Sequence, residues 1–377
     1  MISPTTSVLV QAAEVEPDKL RKEALLQAFT QQDNPDQLIA FAADEGLACF
    51  LYRSLQSSGG LERLPEKCLH RLQGLYERTV LFNLRLIHDL KEILSLLNHE
   101  GIRVVVLQGM ALLQGVYRGS VGLRPMTDID LWVLGHQHGR VCNLLRELGY
   151  ERDQAYPNTF ARGATNLDLH SHLLWADRIR ARRHLLRGGQ DAICREAVPI
   201  NVEGQEALLL SPRDQVLHLS LHAFKHNLGK LIWLVDIKLL LQSFAPSDWE
   251  GLAGRARSLG LMKHLGYALY LLHHLFHLDP PSEIRGLLAD GSMRMIGRKL
   301  LQRRVEGYRL PSWGALWLLL PEKGPMKQLS FVFEASLPRI EVLRQVFLEY
   351  PGRKRWWLYW MRILQLLGEL RLALRNL

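Results

Sequence analysis

Apolar positions recur at helical spacing towards both ends of the chain and at strand spacing in between. The clearest helix is predicted over Leu72–Asn98. There Leu72, Tyr76, Val80, Leu84, Ile87, Leu90, Leu94 and Leu97 recur every three or four residues. Gly101 stands where such a helix stops. The texture changes at Ile102. Ile102–Leu107 is short, apolar and rich in β-branched residues, which predicts a buried strand. Gly109 follows, then a helical stretch from Met110 to Tyr117. A loop carrying Gly119, Gly122 and Pro125 leads to a second apolar strand, Ile129–Leu134. A helix is predicted from about Gly139 to Leu148, closed by Gly149. A strand ending near Arg162, a turn at Gly163 and a strand from Asn166 to Leu173 follow. Beyond Ser211-Pro212, which suit a helix cap and a first helical turn, helices continue to the end. Breaks are expected near Pro280-Pro281, Pro311, Pro321 and Pro351. The expected class is α+β: a helical region over 1–100, a small mixed-sheet core over 101–210, and a helical region over 211–377.

Within the core, Thr127-Asp128-Ile129-Asp130-Leu131 alternates acids with apolar residues. Period two puts Asp128 and Asp130 on one face of a strand and Ile129, Leu131 and Val133 on the other. The two carboxylates then stand about 7 Å apart, twice the rise per residue. Like charges so placed repel, and a divalent cation offsets that. Magnesium prefers oxygen ligands and commonly binds carboxylates together with substrate phosphates, which makes it the expected ion, with manganese as the alternative. A third acid, Asp168, lies between apolar neighbours on a separate predicted strand. If the strands pair, the three acids form a cluster able to hold two metals for phosphoryl displacement, and one acid can accept the acceptor's proton. Gly109, between a strand and a helix, would let phosphate approach the backbone. Arg124, four residues before Asp128, could pair with a triphosphate.

Leu107-Gln108-Gly109-Met110-Ala111-Leu112, followed by Leu123-Arg124-Pro125-Met126-Thr127-Asp128-Ile129-Asp130-Leu131, resembles the uncharacterised nucleotidyltransferase family of bacteria. That family belongs to the DNA polymerase beta-like nucleotidyltransferase superfamily. Leu167-Asp168-Leu169-His170 resembles the family's Leu-Asp-Leu-His box, and the stretch from Leu210 through His218, His222 and Asp236 is also similar to it. The resemblance implies a strand, a glycine turn, a helix and an Asp-x-Asp strand, with a third Asp on a later strand. Gly109, Asp128, Asp130 and Asp168 occupy those places. It implies metal-dependent transfer of a nucleoside monophosphate from an NTP, such as ATP, to an acceptor it does not identify: a small molecule, a protein or RNA. Asp128 and Asp130 would bind metal. Asp168 would bind a second metal and help deprotonate the acceptor, and Gln108, Gly109 and Met110 would lie at the phosphates. Two departures stand out. Met110 replaces the usual small second turn residue, and Gln108 stands where the family often has Lys. They keep open a nucleotide-binding or regulatory module without turnover.

Composition narrows this less than the motifs do. With 47% hydrophobic and 23% charged residues, the 377-residue chain is not dominated by disorder and can form two or three packed units. A formal net charge of +9 favours anionic partners without choosing among nucleotides, nucleic acid and acidic membranes. Arg178, Arg180, Arg182 and Arg183 contribute, and such a run is ordinarily a solvated face. The four cysteines are far apart, so neither a disulfide framework nor a structural zinc site is expected. No secretory signal and no spanning run of 18 apolar residues is present, so a cytoplasmic location is the default expectation and a membrane is not the expected partner.

Further candidates carry a chemical and a plain reading. His170 and His172 share a strand face with Asp168 and could line the nucleotide site, or simply hydrogen-bond at a strand end. Asp214, His218, His222 and His226 recur every four residues; they could bind metal, pack towards the nucleotide, or be satisfied helix-face groups. The segment from Arg355 carries Trp356, Trp357, Tyr359, Trp360, Met361, Leu366, Leu367 and Leu370. Burial in the core or a homo-oligomer interface is the first reading; a membrane-associated scaffold, with Arg353, Lys354 and Arg355 meeting lipid phosphates, is the alternative. Trp313–Leu320 and Cys142 read as core.

Overall fold

The computed structural model describes residues 2–375 except 16–17, 33, 290–294, 312 and 351. Pro351 and the side chain of Leu370 therefore fall outside the described residues. Seven strands form one mixed sheet: β1 (Val105–Val106), β2 (Asp128–Trp132), β3 (Glu151–Arg152), β4 (Thr159–Arg162), β5 (Thr165–His170), β6 (Val198–Val202) and β7 (Gln205–Leu209). Their order is β3-β4-β5-β2-β1-β7-β6. β2 runs parallel to β5, and β1 parallel to β7; the other pairs are antiparallel. Helices flank the sheet on both sides in sequence, so the chain is α+β as expected.

Two differences from the sequence expectation have clear causes. The Ile102–Leu107 strand contracts to Val105–Val106, because the backbone turns into the next helix at Gln108, whose φ is +49°. Its flanks still bond the sheet: Leu107 N donates to Asp130 O and Leu208 N to Val104 O, both at 3.0 Å. The sequence pattern does not predict the β6–β7 hairpin. Glu203 and Gly204, with φ of +50° and +88°, make its two-residue turn, the left-handed pair such hairpins require. This hairpin lays β7 beside β1 and widens the sheet.

The predicted Leu72–Asn98 helix extends over Glu66–His99. Leu84 is 50% exposed, so it is not part of the buried stripe. The stripe passes instead through Asn83, Leu86, Leu90, Ile93, Leu94 and Leu97. Asn83 is turned inward because its amide donates to the carbonyls of Val121 (2.6 Å) and Arg124 (2.8 Å). The loop before β2 is thereby clamped to the long helix. Gly122 makes the approach feasible, since a Cβ there would stand 2.6 Å from Val80 Cγ2 and 2.7 Å from the Tyr76 ring.

After the sheet, Ser211 caps the Pro212–Lys225 helix by accepting from Asp214 N. The Asp214 carboxylate takes Arg255 Nε and Nη2, each at 2.8 Å, so this acid is a structural anchor. Leu318, Leu319 and Leu320 are core, as read from the sequence, and Cys142 is buried. The Arg355–Arg375 helix is only partly covered within this chain. Leu358 is buried and the Tyr359 hydroxyl donates to Pro338 O, yet Trp356 (67%), Trp360 (55%) and Leu367 (57%) are exposed. Its wide apolar surface exceeds what one neighbouring helix can cover. No helix among the described residues is long and apolar enough to cross a membrane.

Candidate active site

The parallel pairing of β2 and β5 sets Asp130 opposite Asp168 in register. β4 lies on the other side of β5, with Thr159 opposite Asp168. These three strand ends open into a cavity of about 490 Å³. Asp128, Asp130, Asp168 and His170 all line it, as does Gln108. The ligand atoms of Asp130, Asp168 and His170 lie within 4.8 Å of one another, close enough to share a metal ion. Asp128 stands just outside that set but feels it. Burial first, and then the charges of Asp130 and Asp168, push its carboxyl up to about 7. Three converging carboxylates repel one another, and the oxygen-rich donor set suits a hard divalent ion.

The acids are individually held. Thr159 Oγ1 donates to Asp168 Oδ1 at 2.6 Å, and Thr127 Oγ1 to Asp128 Oδ1 at 3.1 Å. Asp130 Oδ1 accepts from Gln108 Nε2 (2.7 Å) and from His170 Nε2 (2.8 Å). A carboxylate oxygen only accepts, so Nε2 carries the imidazole proton in this arrangement. The left-handed backbone of Gln108, rare outside glycine, is what swings its amide onto Asp130.

The remaining residues expected at the phosphates are placed differently. Met110 is 1% exposed and packs in the core. Arg124 is 7% exposed and does not line the cavity. Its Nε and Nη2 donate to the fully buried Asp236 carboxylate at 2.8–3.0 Å, and Tyr117 OH joins the same acid at 2.7 Å. The guanidinium is thus committed to a brace rather than free for a triphosphate. Gly109 lies against this brace: a Cβ there would stand 2.4 Å from Arg124 Nη1 and 2.7 Å from Met126 Sδ. A side chain at this position would have to displace the Arg124 guanidinium or the Met126 thioether.

The cations that do face the acids are residues the sequence reading does not assign to the site. Arg178 and Lys225 line the cavity, and neither makes an ion pair among the described residues. Lys225 Nζ stands 4.0 Å over the Trp175 ring, and the Arg178 guanidinium 5.6 Å over Tyr156. Burial, reinforced by Arg182 and only partly offset by Asp130 and Asp168, lowers the Lys225 amine to about 7. Arg182 is likewise lowered to about 10 by burial and by Arg178, and its inaccessible Nε has no partner among the described residues. The arginine run is therefore split: Arg180 and Arg183 are exposed, while Arg178 and Arg182 turn inward. Lys225 shares a helix face with His218 and His222, and that spacing was the available signal.

His222 and His226 line the cavity, so the histidine helix does pack at the site. His218 stacks on Trp175 at 5.4 Å, and burial holds its pKa down to about 3. It is a neutral ring at physiological pH.

Comparison with known proteins identifies the family. A family model described as an uncharacterised nucleotidyltransferase matches residues 31–277, well over half the chain. No curated protein matches in sequence. Among solved structures, the antibiotic-resistance factor ANT(2'')-Ia is similar at 17% identity, covering 52% of this chain and 100% of its own, with a TM-score of 0.34. An antigenic nucleotidyltransferase-like protein from Paracoccidioides brasiliensis is similar at 14% identity over 51% of this chain and 91% of its own, TM-score 0.30. The polyadenylate synthase of Megavirus is similar at 11% identity over 59% and 48%, TM-score 0.29. Backbones this distant transfer no substrate to this chain. On the family match, the chain belongs to the uncharacterised nucleotidyltransferase family.

Proposed function

We propose that this protein transfers a nucleoside monophosphate from an NTP to an acceptor, using Asp128, Asp130 and Asp168 as its metal-binding acids. The observation that carries this reading is charge separation within one cavity. Three carboxylates sit at the strand ends, and Arg178 and Lys225 face the same space without carboxylate partners among the described residues. A divalent cation and a polyphosphate together would neutralise both halves.

In the reaction, an acceptor oxygen bonds the α-phosphorus, the bond from that phosphorus to the bridging oxygen breaks, and pyrophosphate leaves. The acceptor's proton passes to Asp168, whose Oδ1 is already held by Thr159. Lys225 and Arg178 hold the phosphate oxygens beyond the reacting centre. Gln108 and His170 fix the orientation of Asp130 from two sides. Bound magnesium supplies charge neutralisation at the phosphate oxygens. Arg124 acts indirectly, bracing the loop that presents Asp128.

Calorimetry tests this. We expect NTP binding that depends on magnesium in the wild type and disappears in an Asp128→Ala/Asp130→Ala variant with an intact thermal transition. No binding by well-folded wild type to any NTP would overturn the reading.

A further inference from the structure

The helix Arg355–Arg375 is turned the opposite way from an ordinary surface helix. Its hydrogen-bonding side faces the protein. Arg362 Nε donates to Ser336 O at 2.9 Å and Tyr359 OH to Pro338 O at 3.1 Å, and Leu358, on the same side, is buried. These anchors lie beside Arg339, which lines the active-site cavity together with Gln345. The other side carries Trp356, Trp360, Ile363, Leu364 and Leu367, spaced so that they share one face. All five are exposed, Trp356 most of all. A helix that met only water would turn these residues inward and Arg362 outward. A continuous apolar stripe left facing outward marks a surface that something else covers.

Three cations stand at the start of this stripe. Arg353, Lys354 and Arg355 are exposed and make no ion pair among the described residues. Arg353 lies 5.0 Å over the Trp357 ring and Arg355 5.8 Å over Tyr359, contacts that hold the guanidinium without cancelling its charge. From 353 to 371 the sequence has five cations against one carboxylate, Glu369. That surplus decides what covers the stripe. A second copy of the chain would bring an equal positive surplus against it. An acidic membrane surface complements it: anionic headgroups pair with the cations while tryptophan and aliphatic side chains enter the boundary beneath them. Tryptophan is enriched at that depth. The helix would lie on such a surface and not through it, since no helix among the described residues is long and apolar enough to cross.

We propose that the Arg355–Arg375 helix docks this protein on an anionic phospholipid membrane, with Arg353, Lys354 and Arg355 on the headgroups and the stripe from Trp356 to Leu367 in the acyl boundary. This inference does not depend on the nucleotide reading.

Flotation of the full chain tests it, with vesicles of phosphatidylcholine alone and of phosphatidylcholine mixed with phosphatidylglycerol. The protein should float with the mixed vesicles, bind the neutral ones at least about tenfold more weakly, and lose affinity for the mixed vesicles at high salt. Removing three charges in Arg353→Gln/Lys354→Gln/Arg355→Gln should weaken binding to mixed vesicles about a hundredfold, at roughly fivefold per charge. Trp356→Ser/Trp360→Ser should weaken it by at least about tenfold. All five substituted positions are exposed, so both variants should keep the wild-type thermal midpoint and magnesium-NTP binding. Should the tryptophan variant unfold, the charge variant still decides. No flotation with mixed vesicles would overturn the proposal, as would equal binding to the two vesicle types or a charge variant that binds like wild type. A dimer in sedimentation that the tryptophan variant dissolves, without any vesicle binding, would assign the stripe to a second copy instead.

Discussion

Replacing Lys225 with methionine should make the protein more stable and weaken its hold on nucleotide. The amine is half-buried, sits over Trp175 and has no ion-pair partner among the described residues. Burial foremost, with Arg182 adding to it, lowers its pKa from the ordinary 10.5 to about 7. Between those values the unfolded chain carries the charge and the folded chain sheds it. Folding is therefore penalised, and the sign follows from linkage. The penalty is nil above pH 10.5, grows as pH falls towards 7, and is constant below that. At neutral pH the gap corresponds to at most about 4 kcal/mol. Solvent at the cavity mouth and relaxation around the amine reduce this, so a gain of about 1–3 kcal/mol is expected. Urea unfolding of both proteins at pH 6, 7, 8.5 and 10 measures it. The gain should be equal at pH 6 and 7 and shrink towards zero at pH 10. A variant less stable than wild type at pH 7, or a gain indifferent to pH, would refute the electrostatic argument. Losing a charge-assisted contact to phosphate should also weaken magnesium-NTP binding about ten- to a hundredfold, and unchanged affinity would rule out the phosphate role.

Three further outcomes are expected. Arg124→Met strands the buried Asp236 charge and should lower stability by about 3–5 kcal/mol in chemical unfolding; a loss of nucleotide affinity at unchanged stability would show that Arg124 is no brace. Gly122→Ala should destabilise by about 1–3 kcal/mol, because its methyl meets Val80 and Tyr76, and a neutral result would mean the loop is not clamped to the long helix. Magnesium should raise the thermal midpoint of the wild type and leave that of Asp130→Ala unmoved; equal shifts in both would place the ion elsewhere.

Much of the site was legible locally. Alternation around Asp128 and Asp130 marks a strand with an acidic face, and Leu167-Asp168-Leu169 marks another. Ser211-Pro212 declares a helix start, which Ser211 makes good through Asp214 N. These features depend on neighbours a few residues away, where periodicity and capping operate. Even here the Leu84 position misled, because Asn83 is drawn inward by a loop distant in sequence.

Tertiary structure decided what lies between such segments. That β2 pairs in parallel with β5, setting Asp130 beside Asp168, follows from sheet order and not from either motif. Arg124, four residues from the first acid, looks like a phosphate ligand until Asp236, far along the chain, claims it. Lys225 and Arg178 look like ordinary surface cations until a helix and a turn after β5 fold them over the same cavity. Arg339 and Gln345 carry no motif at all, and only the fold brings them to that cavity. The aromatic helix at the C-terminus looks like core by composition, yet its exposure depends on which neighbours the fold supplies. The division has a physical basis. Backbone geometry propagates over a few residues and leaves a period in the sequence, whereas charge pairing and burial depend on groups brought together across the fold, which leave no local mark.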